Sequence, residues 1–155
     1  RLAVMLWSLK MRYWAWRMQH DVEGPPSNIQ VFVQYFDPGL TDRVAHSLGL
    51  QKGLIGVVNA FASRKMAGQN NMVIAHELLH TVGATDKYDL SSNQPVYPQG
   101  YADPERDPLY PQTRAEIMGG SIPQSEHEAE LPMSLNKVIV GPQTAEEIHW
   151  VEPKS

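Results

Sequence analysis

The chain has 155 residues, 42% of them hydrophobic, and a formal net charge of −4 from thirteen basic and seventeen acidic residues. This size and apolar content suit one compact domain, which we expect to span residues 1–155. No lysine or arginine run in the sequence has the pattern of a nucleic-acid-binding surface, so nucleic acid is not an expected partner. Cysteine is absent, which excludes disulfides and thiolate ligands and leaves histidine and carboxylates to hold any metal.

The first residues are apolar and aromatic and predict a helix over 2–20. Lys10 and Arg12 make this run too charged to span a membrane. We expect one stripe of the helix to face the core, formed by Leu2, Leu6, Leu9, Tyr13 and Trp16. The alternative is an interfacial helix beside an upstream membrane anchor, because the chain begins with Arg1 rather than methionine and tryptophans lie near Arg17. An extracytoplasmic or membrane-anchored location fits this alternative.

Two strands are predicted after this helix. The run from Ile29 to Phe36 is β-branched and aromatic and stops at the turn signal Asp37-Pro38-Gly39. The run from Leu54 to Phe61 has a similar composition. The breaker Gly24-Pro25-Pro26 lies too early in the chain to separate two domains.

A second helix is predicted from about Met72 to Val82. Asn70-Asn71 are its expected N-cap, and Gly83 lies at the position where a left-handed residue commonly ends a helix. A long loop rich in Pro, Tyr, Asp and Gly follows from Lys87 to Thr113, which is unusual without a functional reason.

The segment HELLHTVGATD, residues 76–86, has the spacing of a metal site. His76 and His80 are four residues apart and therefore share one helix face, where both rings can reach one ion. Glu77 is turned away from that ion but can reach a water beside it, as a general base requires. Gly83 lets the chain turn back, and Asp86 then supplies a third, oxygen ligand that suits a zinc site with an open fourth position.

This segment resembles the zinc-binding motif of the metzincin peptidases, HExxHxxGxxH/D, in its aspartate variant. Metzincins also place a methionine-containing turn beneath the metal, and Ala115 to Gly120 contains Met118 followed by two glycines. The resemblance implies a zinc-dependent endopeptidase acting on peptides or proteins, with a cleft between about 1–83 and 84–155. It also implies that the strand before the zinc helix is a substrate-binding edge formed by Leu54, Ile55, Gly56, Val57, Val58 and Asn59. The alternative for that strand is an internal position with glycine at a bulge.

The sequence departs from the metzincin pattern at two points. The strand that metzincins place before their first helix is missing. Gly120 replaces the tyrosine that some members carry two residues after the methionine. Four loop tyrosines are alternative donors at the site, although packing or surface roles are the more ordinary interpretation: Tyr88, Tyr97, Tyr101 and Tyr110.

Several other residues compete for a role in metal binding. Asp89 is the main rival third ligand, and Glu105 or Glu116 would serve in a different zinc-peptidase arrangement. Asp103 and Asp107 with Asp89 would be carboxylate ligands for a structural calcium, but their spacing matches no known calcium loop. The remaining histidines have no ligand-like spacing and are expected at the surface or at caps: His20, His46, His127 and His149.

Together these features predict an α/β, more narrowly α+β, fold. We expect a small twisted mixed sheet flanked by an N-terminal helix and a central zinc-binding helix. An irregular C-terminal part that ends in a short helix would follow. A capping box at Thr144 to Glu147 is expected to open that last helix. The predicted activity is a zinc metallopeptidase, and the alternative is a zinc-binding amidase or a silent peptide-binding module on the same fold.

Overall fold

The computed structural model describes residues 2–21, 28–41, 44–45, 47–50 and 54–152, without the side chains of 2–4, 19–21 and 48–50. These residues form an α+β structure of helices and small sheets, as predicted. The predicted breaker Gly24-Pro25-Pro26 and His46 lie outside the described residues, as do the side chains of Leu2 and His20. Among the described residues, no helix has both the length and the apolar character needed to cross a membrane.

The N-terminal helix, α1, spans Leu2–Asp21 and is confirmed, but its predicted core stripe is wrong. Among the described side chains of this helix, Ala15 is the buried one, and its carbonyl accepts a hydrogen bond of 3.3 Å from Gln30 Nε2. The stripe residues with described side chains lie on the exposed side, with more than half of their surface accessible: Leu6, Leu9, Tyr13 and Trp16. Helical spacing identified one face of the helix but not the direction in which that face points.

A three-stranded mixed sheet follows, in the order β1-β3-β2. Its strands are β1 (Gln30–Phe36), β2 (Leu48–Leu50) and β3 (Ile55–Phe61), and β3 is parallel to β1 and antiparallel to β2. The prediction that β3 is a substrate-binding edge is wrong, because hydrogen-bonded neighbours cover both of its sides. Val57 pairs with Phe32 on one side and Leu48 on the other. At Ser47, directly before β2 in the chain, the side-chain Oγ accepts a hydrogen bond of 3.0 Å from the backbone N–H of Asn59.

The central helix, α2, spans Ala67–Thr81 and carries the first part of the motif. It begins five residues before the predicted Met72, so the predicted asparagine N-cap is wrong. Asn70 instead lies within the first turn and exchanges two hydrogen bonds with the backbone of Phe61, at 3.1 and 2.8 Å. This side chain therefore fixes the start of α2 to the end of β3.

The end of α2 has the predicted glycine turn. Gly83 has a φ of 114°, a conformation that is unfavourable for residues with a side chain. The Gly83 amide donates to His80 O and the Ala84 amide donates to Leu79 O, at 3.2 and 3.1 Å. This pair of bonds is the Schellman arrangement, and it reverses the chain directly after the second histidine.

The C-terminal part is mostly irregular, as predicted, and contains two short strand pairs and a final helix. The helix α3 begins at Pro142 after the N-cap Gly141, so the predicted capping box at Thr144 is wrong. Thr144 is buried and donates to Glu116 Oε1 at 2.7 Å. The elements of this part are β4 (Ala115–Glu116) parallel to β7 (Val138–Ile139), β5 (Ile122–Pro123) antiparallel to β6 (Ala129–Glu130), and α3 (Pro142–Glu147).

A hydrophobic cluster joins α2 to this C-terminal part. It contains residues from the end of α2, the following turn, the segment after β4 and the end of α3: Leu79, Ala84, Ile117, Met118 and Ile148. Met118 is completely buried. Burial of these side chains holds the glycine turn and the Met118 turn together on either side of the two motif histidines.

Candidate metal centre

Three residues of the predicted metal-binding motif lie together at the end of α2. His76 Nε2 and His80 Nε2 are 3.1 Å apart, and Asp86 Oδ1 lies 3.2 Å from the first and 3.1 Å from the second. Bonds of about 2.0–2.1 Å to a tetrahedral centre separate ligand atoms by about 3.3 Å. These three atoms therefore have the near-equilateral spacing of ligands to one ion. In the part of the chain that the structure describes, this is the one such cluster.

Hydrogen bonds fix the orientation of both imidazole rings. His76 Nδ1 lies 2.9 Å from the carbonyl oxygen of Ile117, and His80 Nδ1 lies 2.8 Å from that of Ala84. A carbonyl oxygen can only accept, so each Nδ1 is the donor in these bonds and each neutral ring presents the lone pair of Nε2 to the cluster. Metal-binding histidines are commonly oriented by contacts of this kind.

Asp86 is positioned by its two neighbours in the chain, which are both bound by Glu147. The Thr85 amide and hydroxyl donate to Glu147 Oε2 and Oε1, each at 2.9 Å. Lys87 Nζ lies 2.8 Å from Glu147 Oε2, and the Lys87 amide donates to Met118 O at 2.9 Å. Since the backbone is held on both sides of Asp86, its carboxylate has a defined approach to the histidines.

The pKa values of the cluster reflect burial and the contacts among its members. Burial lowers the pKa of His76, but its hydrogen bonds with Asp86 and Ile117 and the charges of Glu77 and Asp86 outweigh burial, so the pKa is raised. Burial raises the pKa of Asp86, yet its contacts with the two histidines and Tyr88 outweigh this and the pKa is lowered. Asp86 is therefore a carboxylate at neutral pH, which is the form that binds a cation.

Glu77 and Tyr88 complete the surroundings of the cluster. Glu77 is 8% exposed and acts electrostatically on both His76 and Tyr88. Burial raises the pKa of the Tyr88 hydroxyl, the Asp86 and Glu77 carboxylates raise it further, and the Tyr88 ring lies 6.2 Å from that of His76. A general-base candidate and a hydroxyl donor thus lie beside the three candidate ligands.

The Tyr88 ring also borders the position where the sequence departs from the metzincin pattern. A Cβ added at Gly120 would lie 3.9 Å from Tyr88 Cδ1. The other three loop tyrosines have contacts within the loop: the hydroxyls of Tyr101 and Tyr110 are 2.8 Å apart, and that of Tyr97 donates to Pro104 O at 3.4 Å. Of the four alternative donors, Tyr88 is therefore the one whose contacts are with the cluster.

The turn that contains Met118 supports the three candidate ligands without contributing a ligand atom. The carbonyl of Ile117 accepts from His76, while the Met118 side chain packs in the hydrophobic cluster. The buried Glu116 carboxylate accepts from the amides of Met118 and Gly119 at 2.6 and 2.9 Å. It also accepts from the Gly141 amide at 3.0 Å and from Thr144. The rival role of Glu116 as a metal ligand is wrong, because its oxygens hold this turn against α3.

The other rival ligands lie outside the described cluster. Asp89 accepts four hydrogen bonds from Ser91 and Ser92 in its own turn, and these bonds lower its pKa to about 2. Glu105 is exposed, and neither Asp103 nor Asp107 belongs to a cluster of three ligands among the described residues. His127 and His149 are exposed, in agreement with the surface positions expected for them.

Two residues of this region were not identified from the sequence in their structural roles. The sequence predicts only the start of a loop at Lys87 and part of a capping box at Glu147. Their contact joins positions 60 residues apart, and no local spacing signals such a pair. The one available signal was a lysine directly after the proposed third ligand.

Comparisons of this chain with family models, curated proteins and solved structures find no match.

Proposed function

We propose that this chain is a zinc-dependent endopeptidase in which His76, His80 and Asp86 hold the metal and Glu77 is the general base. One observation carries the proposal. Two Nε2 lone pairs and a carboxylate oxygen converge within 3.2 Å of one another. Such a set is mutually repulsive unless a cation or proton lies among its members, and two imidazoles with one carboxylate are a ligand set that catalytic zinc uses.

The donor set favours zinc over calcium or magnesium. Those ions are bound mainly through oxygen and take six or more ligands, whereas this cluster offers two nitrogens and one oxygen. The Asp86 side chain is 35% exposed, compared with 10% for His76 and 18% for His80. The cluster is therefore accessible to solvent on the Asp86 side, where a substrate and the attacking water would enter.

The proposed reaction assigns each proton transfer to Glu77. When bound, zinc supplies a Lewis acid that polarises a peptide carbonyl and makes water more acidic. Glu77 accepts a proton from the water while the water oxygen attacks the carbonyl carbon. The same carboxyl then donates that proton to the leaving amine nitrogen as the C–N bond breaks. Glu77 adjoins the first candidate ligand on α2, on a helix that is fixed at both ends, which suits this role.

The first test is metal content together with cleavage. The chain purified without chelator is expected to contain about one equivalent of zinc and to cleave an unfolded protein substrate. Glu77→Gln should keep the zinc and lose about a hundredfold to ten-thousandfold in turnover, the usual contribution of a general base. Less than about half an equivalent of zinc would contradict the proposal. Zinc without cleavage of any peptide would favour the alternative of a non-peptidase on the same site.

A further inference from the structure

Among the described side chains of α1, the more buried ones lie on one face of the helix. Ala15 is buried, and Ser8 and Met11, at helical spacing before it, are half-buried. The Ala15 carbonyl accepts from Gln30 Nε2 at the start of β1. The described side chains on the opposite side of α1 are more exposed than those on this face.

That opposite side carries large apolar and aromatic side chains. With 3.6 residues per turn, Leu6 and Tyr13 lie opposite Ala15, and Leu9 and Trp16 lie beside them. We call these four residues the outer stripe, and their exposed fractions are 59%, 54%, 62% and 58% in that order. Scattered apolar residues are ordinary on a protein surface, but a contiguous stripe along a helix marks an interaction surface.

Basic side chains border the outer stripe. Lys10 and Arg17 lie along one side of it and Arg12 along the other, and all three are exposed. Of the thirteen basic and seventeen acidic residues in the chain, three basic and one acidic lie in α1. The helix therefore carries +2, and the remaining residues carry −6. Positive charge is concentrated at the stripe on an otherwise acidic protein.

We propose that α1 docks on an anionic lipid surface, with the outer stripe in the headgroup region and Lys10, Arg12 and Arg17 at the lipid phosphates. Trp, Tyr and Leu mixed with Lys and Arg are the composition of helices that lie in a membrane interface. The long basic side chains can extend to the phosphates while their stems cover apolar surface. This docking is independent of the metal centre and of the proposed peptidase activity.

Charge also favours lipid over a second copy of this chain. A symmetric pairing of two outer stripes would bring the three cations of each copy into one interface, where like charges repel. Asp21 is the one acidic residue of the helix, and it lies at the C-terminal end, away from the stripe. An anionic bilayer instead attracts the helix and repels the acidic remainder, so contact would be limited to α1.

The experiment is co-sedimentation of the 155-residue chain with vesicles of phosphatidylcholine alone or mixed with phosphatidylglycerol. We expect binding to the anionic vesicles that weakens with added salt, and little binding to the neutral ones. Leu6→Gln/Leu9→Gln and Lys10→Gln/Arg17→Gln should each weaken binding by about tenfold or more. Their matched controls, Leu90→Gln/Leu131→Gln and Arg64→Gln/Lys65→Gln, change exposed residues of the same types elsewhere and should bind like the unmodified chain.

Three results would overturn the proposal. They are absence of binding to anionic vesicles, equal binding to neutral vesicles, and equal losses in the α1 variants and their controls. Light scattering distinguishes the other occupant, because a dimer that Leu6→Gln/Leu9→Gln converts to a monomer would assign the stripe to a second copy. Circular dichroism of each variant verifies that the fold is retained, so a loss of binding reports on the surface.

Discussion

Lys87 Nζ and Glu147 Oε2 are 2.8 Å apart, and their contact joins the loop after α2 to the last residue of α3. The Lys87 side chain is 3% exposed and that of Glu147 is 21% exposed, so the pair is largely removed from solvent. Glu147 also binds Thr85 on the other side of Asp86. The C-terminal helix therefore determines where the proposed third ligand lies, and Glu147 is a positioning residue for it.

Glu147→Gln is expected to reduce both stability and zinc affinity. Removing the carboxylate leaves the buried Lys87 ammonium without its counter-charge, which should cost about 3 kcal/mol of unfolding free energy. Zinc affinity should fall by about tenfold because Asp86 is held less firmly. Urea unfolding of the metal-free protein and competition with a zinc chelator measure the two effects separately. Glu146→Gln removes the same charge from the same helix and should change neither; equal effects of the two variants would refute the positioning role.

The same pair should produce a defined pH dependence. Burial raises the pKa of Glu147, but hydrogen bonds from Lys87 and Thr85 outweigh it, and the pKa lies below its ordinary value of 4.5. A lowered pKa means that the stabilisation is complete above about pH 4.5 and is lost as the pH falls through the lowered pKa. The difference in Tm between the unmodified protein and Glu147→Gln should be constant from about pH 8 to 5 and shrink below that. A difference that already disappears between pH 8 and 6 would assign the effect to another group.

Asp86→Asn and Asp89→Asn should have opposite effects on metal content. Asp86 Oδ1 lies within 3.2 Å of both histidine Nε2 atoms, whereas Asp89 is bonded to Ser91 and Ser92 in a separate turn. Loss of one of three ligands should abolish stoichiometric zinc binding, while Asp89→Asn should retain about one equivalent. Elemental analysis of the two purified variants is the measurement. Retention of zinc by Asp86→Asn with loss from Asp89→Asn would reverse the third-ligand assignment.

Tyr88→Phe should weaken zinc binding without unfolding the protein. The change removes the hydroxyl whose pKa burial and the Asp86 carboxylate raise, but it keeps the ring near His76 and Gly120. Loss of such an outer contact commonly costs 10–100-fold in metal affinity or activity. Tyr110→Phe is the control, because it removes a hydroxyl that is 2.8 Å from that of Tyr101 in the loop. Chelator competition on both variants compares the zinc affinities, and equal values would show that Tyr88 does not support the metal site.

Glu116→Gln should destabilise the protein more than any surface glutamate variant. Its buried carboxylate accepts hydrogen bonds from three backbone N–H groups and from the Thr144 hydroxyl. In the glutamine variant, the side-chain NH₂ would replace one acceptor oxygen and face some of these donors. A loss of about 3–5 kcal/mol in chemical unfolding is expected. Glu105→Gln, at an exposed position, should cost less than about 0.5 kcal/mol. If Glu116→Gln instead released zinc from a protein of unchanged stability, Glu116 would have to be a ligand.

Features that depend on local geometry could be predicted from the amino-acid sequence. The four-residue spacing of His76 and His80 places them on one face of any helix, and the structure has α2 over that segment. Gly83 marked the end of that helix because few other residues adopt a positive φ at low cost. The strands β1 and β3 were recognisable for a similar reason, since β-branched and aromatic runs fit an extended, half-buried backbone.

How these elements face one another, and which distant residues meet, became clear only from the three-dimensional fold. The periodicity of α1 defined a stripe but not whether it faces core or solvent, and the composition of β3 did not reveal that β1 and β2 cover both of its edges. The contacts of Glu147 with Lys87 and of Glu116 with Thr144 span 60 and 28 positions. Such pairs depend on where the whole chain closes on itself, and spacing along the sequence carries no information about closure. The candidate ligand residues can therefore be identified from the sequence, whereas the residues that hold them in place depend on the fold.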